Sequence, residues 1–132
     1  MKPRIAAALA SALLFIPAAA SGHHSFALFD HENRITLTGV VSDFQWTNPH
    51  VYIELDVPDG KNGSTHYTIE CASVNVLTRA GWKYNDIKKG DQVTLLVNPL
   101  RDGSPGGMLE TATLADGRTL TDSNPPGGVF PR

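Results

Sequence analysis

Cysteine is nearly absent from this chain: Cys71 is the single one among 132 residues. A lone cysteine closes no disulfide within the chain, so packing, or packing plus a bound metal, must hold the fold. Long apolar runs are also scarce. Ile5–Ile16 is uncharged and rich in Ala and Leu, yet it falls short of the about 20 residues that span a bilayer as a helix. Basic residues are few, with 11 Lys and Arg against 13 Asp and Glu, which argues against nucleic acid as a partner. Gly-x-Ser-x-Gly, His-Glu-x-x-His and a glycine-rich phosphate loop are all missing, so no familiar enzyme signature is present. Gly103-Ser104-Pro105-Gly106-Gly107 does not replace them, because its proline and the lack of a following helix disfavour phosphate binding.

What is present begins with an export signal. Lys2 and Arg4 form a positive start, Ile5–Ile16 the apolar segment, and Pro17 precedes the small residues Ala18, Ala19, Ala20, Ser21 and Gly22. The small-residue rule allows cleavage after Ala20 or after Gly22. Loss of Lys2 and Arg4 takes the formal charge from −2 to −4. A periplasmic protein with no membrane anchor is expected. The chain divides into a leader (1–22), one domain (23–121) and a Pro/Gly tail (122–132) that lacks apolar periodicity.

The domain reads as strands with one short helix. Ile35 to Trp46 is strand-like, and its apolar alternation through Ile35, Leu37, Gly39 and Val41 changes parity at Phe44 and Trp46, which predicts a bulge. Val51, Ile53, Leu55 and Val57 alternate with Tyr52, Glu54 and Asp56, a period of two with one buried face. A turn centred near Lys61 sets Asp56 against His66 and Tyr52 against Glu70. Ser73 suits the cap of a helix ending at Ala80, with Gly81 at the left-handed position and Trp82 folding back onto Leu77. Strands follow over Gln92–Val97 and Met108–Leu114, and Asp116-Gly117 reads as a two-residue hairpin. Three strands, a helix and two further strands predict an all-β fold: a small five-stranded Greek-key barrel of the OB type, with the helix between strands three and four. An open β-sandwich of the same strands is the alternative.

The residues with chemistry in reach are histidines. If Ala20 ends the leader, Ser21-Gly22-His23 offers an amine, two backbone amides and an imidazole, a square-planar nitrogen set that favours Cu(II) or Ni(II). If Gly22 ends it, the His23 amine and ring chelate together and another imidazole completes the site. His23, His24 and, as a third ligand, His50 are therefore the candidate metal residues, with copper in either oxidation state as the candidate cofactor. Trp46 reads as an aromatic closing one end of the barrel, Cys71 as a small buried hydrophobe, and His31 as a surface residue in a polar turn. Tyr52, Glu54, His66 and Glu70 share the outer face of strands two and three with Trp46 near its end. This face is the alternative site, on which a non-catalytic module would bind a ligand or an exported protein.

His23-His24-Ser25-Phe26, Thr38-Gly39-Val40-Val41, Trp46-Thr47-Asn48-Pro49-His50-Val51, Gly81-Trp82 and Lys89-Gly90-Asp91-Gln92-Val93 together resemble a family of small exported bacterial proteins, domain of unknown function 6152. The resemblance covers nearly all of the chain after the leader and implies export and a common fold, but no activity. Cys71 departs from it, since a small residue is more usual there. A more distant likeness is to periplasmic copper chaperones on small OB barrels, which bind Cu(I) with His, Met and a stacked Trp. Here Met108 is the one methionine after the leader.

Overall fold

The structure, a computed structural model, describes residues 26–123. The leader, both cleavage points, His23 and His24, and residues 124–132 lie outside the described residues. Among the described residues, these elements follow in order: β1 (Ile35–Gln45), β2 (Tyr52–Pro58), β3 (Ser64–Glu70), α1 (Val74–Arg79), β4 (Gln92–Pro99), β5 (Gly106–Thr113) and β6 (Thr119–Thr121). The sheet runs β3-β2-β1-β4-β5-β6, and β3 also pairs with β5. That last pairing is parallel and closes five strands into a barrel with α1 between β3 and β4. This is the OB arrangement and excludes the open sandwich.

Alternation in the sequence becomes the inside of the barrel. Val41, Val51, Ile53, Leu55, Ile69, Val93, Leu95 and Val97 are buried together, joined by Leu77 and Trp82 from the helix and the residues after it. The parity change in β1 is a bulge. Val41 faces Leu55 and Asp43 faces Glu54, which leaves Ser42 as the extra residue. The Ser42 hydroxyl is buried without a hydrogen-bond partner among the described residues.

Helix α1 has both ends that the sequence suggests. Ser73 Oγ accepts the Val76 N–H. At the other end Gly81 takes φ of 95°. Its N–H donates to the Thr78 carbonyl and that of Trp82 donates to the Leu77 carbonyl, the paired bonds of a Schellman cap. The β5–β6 hairpin differs from the two-residue expectation. Leu114 N–H donates to the Arg118 carbonyl and Gly117 N–H to that of Leu114. The loop therefore holds Ala115, Asp116 and Gly117, a tight turn ended by a left-handed glycine (φ 88°) rather than a type I′ turn.

A second bulge went unforeseen. Val97 faces Leu109 while Leu96 faces Thr111, so Glu110 is the unpaired residue of β5. Its carbonyl is thereby turned away from β4 and accepts the N–H of Asp122. Asp122 is thus part of the barrel rather than the first residue of a loose tail.

Gly39 and Gly107 sit where strand approach, rather than turn geometry, leaves no room for a Cβ. A Cβ on Gly39 would collide with the Asp56 carbonyl oxygen, and one on Gly107 would come within 2.7 Å of the Asn98 carbonyl oxygen and 3.0 Å of Val97 Cγ2. Gly107→Ala is expected to destabilise the barrel by about 1–3 kcal/mol, the usual cost of forcing a methyl into filled space. Urea denaturation checks this, and a midpoint equal to that of the wild type would refute it.

Candidate functional site

Three histidines lie among the described residues, and the atoms that face each ring fix where its protons sit. His66 projects from β3 opposite Asp56, as the register predicts. Its Nδ1 is 2.7 Å from Asp56 Oδ1 and its Nε2 is 2.8 Å from Glu54 Oε2. An ionised carboxylate only accepts, so this geometry favours the doubly protonated ring, the imidazolium. The hydrogen bonds to Asp56 and then Glu54 push its pKa above 6.5. Thr68 Oγ1 donates to the same Glu54 oxygen at 2.7 Å. His66, Glu54, Asp56 and Thr68 thus form a closed cross-strand clamp, and an imidazolium has no lone pair to offer a metal.

His50 and His31 are held differently. His50 closes the Trp46–His50 loop, where Asn48 Oδ1 accepts the Val74 N–H and ties the loop to α1. His50 Nδ1 lies 3.1 Å from the Cys71 carbonyl and 3.4 Å from Glu70 Oε1. A carbonyl oxygen cannot donate, so Nδ1 carries the proton and Nε2 holds the lone pair of the neutral ring. His31 is the mirror case. Its Nε2 lies 2.9 Å from the Phe26 carbonyl, which leaves Nδ1 with the lone pair. Its ring stacks on Phe26 with centroids 3.7 Å apart and planes inclined by 14°.

Near His50 stand Glu70 and Asp122. Tyr52 and Glu70 face each other across β2 and β3, as expected from the turn. Burial, with Glu70 and Cys71 nearby, pushes the Tyr52 hydroxyl pKa up. Asp122 was invisible as a site residue because it sits in a sequence stretch that reads as tail. Its Oδ1 accepts the Ala72 N–H at 2.8 Å, while the preceding Thr121 carbonyl accepts Trp82 Nε1–H at 2.8 Å. Burial raises the Asp122 carboxyl pKa to about 6, opposed by the Ala72 hydrogen bond and by His50 and assisted by Glu70.

Trp46 is half-buried, packed against the core beside Phe44 with ring centroids 5.8 Å apart. Cys71 is buried at 2% exposure, and desolvation pushes its thiol well above the ordinary range. It packs as a small hydrophobe and supplies no thiolate. Among the described residues, no three His, Cys, Asp or Glu side chains are placed to hold a metal ion together. A groove of about 520 Å³ runs between the start of the described chain and the barrel wall. Phe26, His31, Met108, Glu110 and Asp122 all line it.

Fold and site together define a small closed β-barrel with one charge-clamped histidine and two carbonyl-oriented ones. The chain belongs to the family of unknown function DUF6152, whose description it matches over residues 10–110. No curated protein and no solved structure matches it.

Two outcomes follow from the protonation states. The Asp122 carboxyl titrates near 3.8 when exposed and near 6 when folded. The folded state therefore holds this proton more tightly, and the fold loses stability as pH rises from about 4 to about 6. Asp122→Asn keeps an oxygen for the Ala72 N–H and removes the charge. It is expected to raise stability at pH 7.5 by on the order of 3 kcal/mol, with the gain gone at pH 4; denaturation at both pH values checks this. For His66, the ring-proton NMR titration should show a midpoint above 6.5. The midpoint should fall in Glu54→Gln and Asp56→Asn.

Proposed function

We propose that this is an exported, periplasmic metal-binding protein, with copper as its ion and His23 and His24 as its principal ligands. One observation carries the reading. Both His31 and His50 donate one ring nitrogen to a backbone carbonyl, the partner that commonly orients a metal-ligating imidazole and fixes its tautomer. The barrel so offers preset imidazoles but no complete ligand set among the described residues. A metal bound there would need donors from another segment, and the sequence ahead of Phe26 carries His23 and His24 three and two residues away. His50, singled out by its position at the start of strand two, is the barrel ligand that sequence alone suggests.

The alternative, a non-catalytic module using Trp46, Tyr52, Glu54, His66 and Glu70, draws less support. The polar groups of Glu54 and His66 on that face already bond to one another and to Asp56 and Thr68.

The test is Cu(II) affinity of the processed protein, purified after export and sized by intact mass, against the variant with both His23→Ala and His24→Ala. The wild type is expected to bind more tightly, and its affinity to weaken as pH falls through the imidazole range near 6.5. Equal affinity of the two proteins would overturn the reading.

A further inference from the structure

We propose that the groove beside Phe26 is a binding site for a small organic amine, a primary ammonium ion carried on an aromatic body. The site stands independently of the copper reading. Three observations carry it.

The first is an excess of hydrogen-bond acceptors. Asn98 is buried at 4% exposure yet lines the groove. Its Nδ2 donates to the Asn33 carbonyl at 3.0 Å. A carbonyl only accepts, so the amide orientation is fixed and Oδ1 is the atom left over. That oxygen has no partner among the described residues. Asp122, also in the lining, gives Oδ1 to the Ala72 N–H. Its second oxygen likewise has no partner among the described residues. His31 lines the same groove and donates from Nε2 to the Phe26 carbonyl, so the neutral ring keeps an acceptor at Nδ1. Buried polar atoms are ordinarily hydrogen-bonded, and this lining therefore suits a ligand that donates. An ammonium group carries three N–H donors and no acceptor.

The second is charge. The Asp122 pKa of about 6 leaves its carboxyl ionised at pH 7.5. Glu110 adds a second carboxylate, but its oxygens lie 2.7 and 2.8 Å from Arg34 Nε. Arg34 lines the groove with its side chain 62% exposed. Glu110 thus has its cation within the lining, whereas no Lys or Arg of the lining pairs with Asp122. An anionic ligand would meet the Asp122 carboxylate, while a cation is drawn to it, more strongly the less water intervenes.

The third is an aromatic wall already in place. The Phe26 ring stacks on His31 with centroids 3.7 Å apart, yet Phe26 remains 57% exposed. Met108 and Leu109 continue the apolar lining from β5. Asp30 N–H donates to the Pro99 carbonyl and Arg101 N–H to that of Leu28, which holds the segment between Phe26 and His31 against the barrel. A ligand ring packs against such a surface at little ordering cost. The groove volume of about 520 Å³ falls in the range of small-molecule sites.

Calorimetric titration of the processed protein at pH 7.5 would use phenethylamine as the probe and 3-phenylpropanoate as its anionic counterpart. EDTA in both solutions removes copper, so failure here leaves the copper reading untouched. The amine is expected to bind saturably, at least about tenfold more tightly than the acid. Asp122→Asn keeps an oxygen for the Ala72 N–H and is expected to weaken amine binding about tenfold or more. Phe26→Ala should weaken it about threefold or more. In the wild type, the 13C-labelled methyl resonance of Met108 should shift as the amine is added and saturate with the calorimetric affinity. Absence of saturable binding, equal affinity for amine and acid, or unchanged affinity in Asp122→Asn would each overturn the proposal. So would a Met108 methyl that stays in place while the amine binds, because the amine would then sit elsewhere.

Discussion

Thr68, Ile69 and Glu70 run parallel to Gly106, Gly107 and Met108, and this short ladder turns an open sheet into a barrel. Among the described strands it is the one parallel pairing. Its strands approach so closely that a Cβ on Gly106 would stand 3.0 Å from the Thr68 carbonyl oxygen. Because β5 is held there at its start, its later half is left to pair with β6. The chain then returns past Trp82 to place Asp122 against Ala72. The groove, the His50 surroundings and the covered end of the core all follow from that closure. In a chain with one cysteine, closure also removes the unpaired strand edges that a disulfide would not protect.

On this frame the three described histidines fall into two electrostatic characters, set by what each ring faces. Two carboxylates hold His66 as a cation on the outer sheet. Backbone carbonyls hold one nitrogen of His50 and of His31 as donors. The distinction between carboxylate and carbonyl partners separates a structural cation from rings that can lend a lone pair. Cys71, the residue type with the strongest prior claim on a soft metal, is removed from consideration by burial alone.

Much of the barrel was legible in the residues. The alternation of Val51, Ile53, Leu55 and Val57 identified a half-buried strand, and the turn at Lys61 fixed the pairing of Asp56 with His66 and of Tyr52 with Glu70. The parity change between Val41 and Phe44 located the β1 bulge. Ser73, Gly81 and Trp82 marked both ends of α1. These features succeed because their causes are local: side-chain period, turn chemistry and capping act within a few residues.

Local pattern could not supply the bulge at Glu110, the three-residue loop at Ala115–Gly117, or the place of Asp122, since each depends on partners far along the chain. Glu110 is skipped in the pairing of β5 with β4, on a strand whose other edge serves β3 first and β6 second. Asp122 meets Ala72 across fifty positions, and no composition rule distinguishes it from the Pro/Gly segment that follows. The sequence by itself determined the strands, the helix and the presence of histidines at the front of the domain. Only the tertiary structure decided which nitrogen of each ring is protonated and which carboxyl is buried, because those depend on atoms brought together by barrel closure.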